Sequence, residues 1–218
     1  MEKMIGFVGE NCYDMMLLLA RAMHCFGYKV LLADRNIYHT LSAVIPVPDG
    51  VNPARQVAEY DGMYFTGAEL KEEQIEPFDY ILADFGMVLH RDMERCASMI
   101  LVSGGMPHQI RRIKEFCIPK AKTRAVVIRD LLKGGQKENS EIRTFVLEYS
   151  GSKFYFLKPE YLDLKNGFLY ETTFEYRLRE ASEQMQEVIF GLFCELCEEK
   201  EEKQFWQIIK KQERKGFW

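Results

Sequence analysis

Residues 4–36 read MIGFVGENCYDMMLLLARAMHCFGYKVLLADRN. The first six form a short apolar run ending in Gly9, and residues 15–26 carry apolar side chains at helical spacing until Gly27 stops them. Residues 29–33 (KVLLA) are a second apolar run without polar alternation, as a strand buried on both faces requires, and they end at Asp34. Strand, turn, helix and strand in this order predict a βαβ unit.

The same grammar continues outward. Residues 79–83 (DYILA), 98–102 (SMILV) and 124–128 (RAVVI) are buried-strand runs with helical sequence between them, the first closed by Asp84. Strands alternating with helices predict an α/β fold: a three-layer, mostly parallel, doubly wound sheet. Residues 44–61 contain Pro46, Pro48 and Pro53 and predict irregular chain, with a short strand at 63–66. Residues 144–148, Ser150-Gly151 and residues 154–157 predict an antiparallel edge hairpin, and Asn166-Gly167 a further turn. Residues 174–215 are helical in pattern. The expected division is an α/β domain over 1–172 and a C-terminal helical segment over 173–218 packing on it, with an amphipathic tail at 204–218.

Composition bounds the function classes. The 218 residues are 47% hydrophobic and 28% charged with net charge −4, so the chain has the apolar content of a large globular domain and no global attraction for nucleic acid. No nucleic-acid partner is expected. The longest apolar run, residues 15–20, is too short to cross a bilayer, and the polar residues after Gly9 interrupt any secretory signal. A cytoplasmic protein is expected, with reduced thiols at its six cysteines.

The first strand-to-helix turn decides the chemistry. In a doubly wound sheet the ligand crevice lies beyond the carboxyl ends of the strands, and the helix after β1 is the natural anion site. Here the turn reads Gly9, Glu10, Asn11, Cys12, Tyr13, Asp14. A phosphate cradle needs several glycines and a lysine. This turn has one glycine, no lysine and two carboxylates, which repel a polyphosphate.

The order of parts resembles the MinD/ParA family of deviant Walker-A ATPases. The phrase GYKVLLAD (27–34) matches the family's helix-to-strand passage, and FDYILADFG (78–86) is similar to its Walker-B and switch segment, with Asp84 at the acidic position. Residues 97–116 look like the family's next strand and helix, and AVVIRDLLKGG (125–135) falls where its base-binding asparagine lies. The resemblance implies a P-loop NTPase-like fold. It also marks departures: Cys12 stands for the phosphate-neutralising lysine, Tyr13 or Asp14 for the metal-binding threonine, and Arg129 for the asparagine. Phosphoryl transfer depends on positioning and charge neutralisation, so these losses imply a pseudo-ATPase with no catalytic residues, no metal and no cofactor.

The crevice candidates are Gly9, Asn11, Cys12, Asp34, Asp84, Ser103, Gly104, Gly105 and Arg129. Asp34 and Asp84 are strand-terminal acids that read equally as helix caps, and the Ser103-Gly104-Gly105 turn offers amides to an anion with Arg111 and Arg112 nearby. Cys12 reads as a packed side chain or, beside a histidine (His24, His39, His90 or His108), as a nucleophile. Cys194 and Cys197 lie inside a helical run and read as packing. In the tail, Phe205, Trp206, Ile208, Ile209, Lys210, Lys211, Phe217 and Trp218 form an amphipathic, aromatic-tipped element for a partner protein, a weak membrane-surface contact at the inner face, or the domain itself. The resemblance implies an interaction or localisation protein with an unidentified protein partner, homodimerisation included. The alternatives are nucleotide binding without hydrolysis and a small-molecule enzyme using Cys12.

Overall fold

The computed structural model describes residues 3–46, 50–60, 62–69, 71–116, 118–132, 139–173, 177–197 and 201–214. Its centre is an eight-stranded sheet in the order β3-β4-β2-β5-β1-β6-β7-β8. The strands are β1 (Met4–Gly9), β2 (Val30–Asp34), β3 (Ala58–Tyr60), β4 (Met63–Thr66), β5 (Tyr80–Asp84), β6 (Ser98–Gly104), β7 (Thr123–Arg129) and β8 (Lys153–Phe156). All pairings are parallel except β3 with β4. The helices are α1 (Tyr13–Cys25), α2 (Thr40–Val44), α3 (Glu72–Ile75), α4 (Pro107–Glu115), α5 (Ser140–Glu148), α6 (Tyr161–Thr173), α7 (Glu183–Cys197) and α8 (Glu202–Arg214).

Two apolar cores follow from the two faces of the central strands. Phe7, Leu32, Leu82, Ile100 and Val127 point to one face, where α1, α7 and α8 cover them. Val8, Leu31, Ile81, Leu101 and Val126 point to the other, under α4 and α5. Neighbouring residues on one strand thus enter opposite cores, which is why the strands lack polar alternation. Helix α1 is sandwiched between the sheet and the C-terminal helices, so residues 15–20 are all buried. It ends where Gly27 takes φ +89° and donates its amide to the His24 carbonyl.

The expected edge hairpin is corrected in position. Residues 144–148 are helical: Asn139 caps α5 by accepting from the amides of Glu141 (3.0 Å) and Ile142 (3.4 Å). Ile142, Phe145 and Tyr149 then repeat at helical spacing into the core. Residues 153–156 do form a strand, but it runs parallel to β7. The antiparallel pair lies at the opposite edge, β3 with β4. The expected turn at Asn166-Gly167 lies inside α6, where Asn166 is buried and its amide donates to the Glu180 carbonyl.

The tail is docked on its own domain. Phe205, Ile209 and Glu213 recur every four residues and all are buried. Phe205 packs against Phe190 (5.0 Å between ring centroids), Phe193 (5.1 Å) and Phe26 (5.7 Å), with Trp206 edge-on at 4.8 Å. Glu213 accepts from the Leu178 amide and from Arg179 Nε, both at 2.7 Å. Of the three surfaces considered for this stripe, the domain itself takes it: Phe205 and Ile209 face inward, and Trp206 and Ile208 are half-buried against the same core. Lys210 and Lys211 are exposed on the outer side, and Phe217 and Trp218 lie outside the described residues. Among the described residues no helix is long and apolar enough to cross a membrane.

Candidate functional site

The carboxyl ends of β1, β2, β5, β6 and β7 converge on one edge of the sheet. The strand order turns there: β1 is flanked by β5 on one side and β6 on the other, and a doubly wound sheet opens its ligand crevice at such a switch point. The β1–α1 turn sits over it, with only Glu10, Asn11 and Cys12 between strand and helix. Gly9 is required by its neighbour. It takes φ +145°, and a Cβ there would lie 1.8 Å from the Val102 carbonyl oxygen of β6. Its amide is spent on the Gly86 carbonyl at 2.8 Å.

Arg129, at the end of β7, reaches back across 115 residues of sequence into this turn. Its guanidinium donates to the Asn11 carbonyl (2.6 Å) and to both carboxylate oxygens of Asp14 (2.8 and 2.6 Å). Asp14 Oδ1 also accepts from the Met15 amide at 2.7 Å. A fork-on-fork ion pair therefore occupies the positive end of α1. Burial alone would pull the Arg129 guanidinium down, but the charge and hydrogen bonds of Asp14 outweigh it and hold the group above its ordinary value. Beside them Glu10 is paired with Arg112 at 2.5 Å.

Cys12 lies beneath the turn, 2% exposed. Burial pushes its thiol well above the ordinary value, and the Asp84 carboxylate adds to this more than Arg129 offsets. The charged groups acting on it are Asp84, Arg129, Asp14 and Glu10, with no imidazole among them. Of the two readings of Cys12, this setting favours the packed side chain, because a nucleophile needs the thiolate and an open path. Native protein treated with iodoacetamide at pH 8 should leave Cys12 unmodified until denaturant is added. Rapid modification of Cys12 in the folded chain would restore the thiol reading.

The two strand-end acids are adjacent in register. Asp34 is consumed by local structure: one oxygen accepts from the Asn36 amide (3.1 Å), the other from the amide (2.8 Å) and hydroxyl (2.6 Å) of Ser42 in the first turn of α2. Asp84 is 1% exposed and accepts from the Gly86 amide at 2.8 Å, with Thr40 Oγ1 at 3.4 Å and Asn36 Nδ2 at 3.5 Å as long partners. Burial raises its pKa most, the Gly86 amide pulls it back and the Asp34 carboxylate beside it pushes it up, to about 6 in all. Below this pair, Arg35 and Asp92 form a buried ion pair at 3.0 Å. Burial raises the Asp92 carboxyl, but its hydrogen bond and attraction to Arg35 win and hold it below the usual range.

The turn after β6 is likewise engaged internally. Ser103 Oγ donates to the Gly104 carbonyl (3.0 Å), Gln109 Oε1 accepts from the Met106 amide (3.2 Å), and the Gly105 carbonyl accepts from Asn139 (3.1 Å). Arg111 and Arg112, expected beside an anion, are paired with Glu141 and Glu10. The structure thus gathers Gly9, Asn11, Cys12, Asp84 and Arg129 around one turn and commits Asp34 and the Ser103–Gly105 stretch to capping and turn contacts. Asp14 as the partner of Arg129, and Asn36 and Thr40 under Asp84, were not anticipated; nothing local in the sequence pairs them. Among the described residues no cluster of three or more His, Cys, Asp or Glu side chains is set to hold a metal ion.

A cleft of about 400 Å³ opens beside the turn, between α1, the end of β7 and α6. Glu10, Asp14, Asp130, Glu160 and Asp163 line it, against Arg129 and Lys158.

A mostly parallel sheet wound on both faces, with its crevice at a switch point beside β1, defines a three-layer, doubly wound α/β fold. Solved structures narrow this: the chain has a MinD-like fold. It superposes on the MinD cell division protein of Aquifex aeolicus with a TM-score of 0.65 over 91% of this chain and 98% of that one, at 12% identity. The MinC:MinD cell division protein complex of the same organism gives 0.61 over 88% and 96%, at 13% identity. No protein-family model matches the sequence, and no curated protein sequence does.

Proposed function

We propose that this chain is a non-catalytic MinD-like protein, a pseudo-ATPase that works by binding a protein partner. The observation that carries the reading is the ion pair of Arg129 and Asp14 seated on the β1–α1 turn. In a phosphate-binding turn the amides and the positive end of the helix serve an anion brought from outside. Here a carboxylate of the protein itself takes that place, and the nearest strong cation is already bound to it. Glu10 adds a second negative charge at the mouth, held by Arg112. A triphosphate entering this turn meets carboxylates first and gains no lysine.

A partner-binding role suits what is left of the crevice, a cleft whose chemistry is polar and acidic. One similar structure is a MinC:MinD complex, in which a protein of this fold is bound to a protein partner, and this supports partner recruitment as a use of the fold here.

The test is thermal-shift titration with ATP, ADP, GTP and NAD, each with and without magnesium. A ligand that binds only the native state raises apparent stability by about 2.7 kcal/mol at a hundred times its Kd, so millimolar nucleotide is a sensitive probe. No shift is expected with any of the four. A rise of several degrees with a nucleoside triphosphate would replace this reading with nucleotide binding without hydrolysis.

A further inference from the structure

The cleft under α6 has two properties that belong together. Its rim is acidic, and its α6 wall presents Leu164 and Phe168, which stand one helical turn apart and are 68% and 67% exposed. Its floor, Leu157 and Met185, is buried and apolar. An apolar wall continuous with a charged cleft is the surface expected of a binding site, since isolated exposed side chains do not line one cavity.

The charge decides the occupant. Asp14 is neutralised by Arg129 and Glu10 by Arg112, which leaves Asp130, Glu160 and Asp163 facing Lys158. Glu160 accepts from Gln184 (3.0 Å), and Asp163 accepts from the amide (2.8 Å) and hydroxyl (2.5 Å) of Ser182. Those donors are neutral, so they orient the carboxylates and leave their charge in place. In a concave site with apolar walls such charges reinforce one another and draw cations. An anionic ligand is disfavoured, and a purely apolar one would leave the carboxylates facing it without compensation.

We propose that this cleft docks a cationic amphipathic segment of a partner protein, its Lys or Arg side chains meeting Asp130, Glu160 and Asp163 and an apolar side chain covering Leu164 and Phe168. This rests on the reading of the chain as a partner-binding protein and states the partner's chemistry. Helix-in-groove recognition of this kind takes its affinity from the apolar anchor and its selectivity and salt dependence from the charges.

The experiment uses the full chain and two short fluorescein-labelled peptides, one with lysines along one helical face and leucine and phenylalanine along the other, and its counterpart with glutamate for every lysine. In fluorescence anisotropy the lysine peptide is expected to bind at least about tenfold more tightly than the glutamate peptide, and less tightly as salt rises. Two paired variants, Asp130→Asn with Glu160→Gln and Leu164→Ser with Phe168→Ser, should each weaken it about five- to tenfold while keeping the wild-type melting temperature. Equal binding of both peptides, undiminished binding by both variants, or no binding overturns the proposal. So does a dimer in sedimentation velocity that the Leu164→Ser, Phe168→Ser variant dissolves, because the face would then be covered by a second copy. The nucleotide titration is independent of all these outcomes: without a nucleotide shift and without peptide binding, the non-catalytic reading stands and this one falls.

Discussion

Phe205→Ala is expected to destabilise the protein by about 3–5 kcal/mol, lowering the melting temperature by about 10 °C. Phe205 is fully buried at the meeting point of α1, α7 and α8, among Phe26, Phe190, Phe193 and Trp206. Truncation removes the transfer free energy of the ring and leaves a cavity. Other aromatic rings line it and cannot collapse into it without leaving their own rotamers. Loosening α8 also uncouples Glu213 from Leu178 and Arg179, adding a lost charged hydrogen bond to a lost contact. Urea denaturation of wild type and variant measures the effect. A loss under about 1 kcal/mol would mean that α8 is not part of the folding unit and would return its apolar face to a lipid or partner role. Lys210→Ala with Lys211→Ala, on the outer side, should change stability by less than about 0.5 kcal/mol in the same experiment.

The opposite sign is expected at Asp84. With a native pKa of about 6 against an ordinary 3.8, the folded chain holds this proton more tightly than the unfolded one. Between pH 4 and 6 the native state therefore binds more protons than the unfolded state, and stability falls as pH rises through that window. Above it the full cost applies, roughly 3 kcal/mol. Asp84→Asn has nearly the same shape, keeps an oxygen for the Gly86 amide and turns a donor toward Thr40 Oγ1. It should stabilise the protein by about 2–3 kcal/mol at pH 7.5 and by little at pH 4, so the difference in melting temperature between variant and wild type should grow with pH. A difference that is flat from pH 4 to 7.5, or a destabilised variant, would show that the buried carboxylate is balanced by partners stronger than the long contacts to Asn36 and Thr40.

How far the site was legible depended on how local its determinants are. Gly9, Cys12, Asp34 and Asp84 were marked by strand ends and a turn, which period and punctuation reveal. Asp14 was read only as a repulsive charge, since its partner Arg129 lies at the end of β7 and only the order β1-β6-β7 brings that strand near the turn. The error at residues 144–148 has a similar source: FVL fits a strand as well as a helix, and the Asn139 side chain upstream, by capping two amides, decides for the helix. In the tail, periodicity located the apolar stripe of Phe205 and Ile209 but not its occupant, because burial against the same protein and exposure to a partner require the same stripe.

The chain's own pattern settled the layer architecture and the parallel sheet, because short apolar runs without polar alternation recur between amphipathic helical stretches, and only strands buried on both faces fit that repeated order. It also settled the poverty of the first turn in glycine and lysine, a matter of composition at one place. Tertiary structure alone decided which charges meet there, which way the last helix faces and which edge carries the antiparallel pair. Those outcomes depend on contacts between residues more than a hundred positions apart, or on competition between equivalent local solutions, and packing alone distinguishes them.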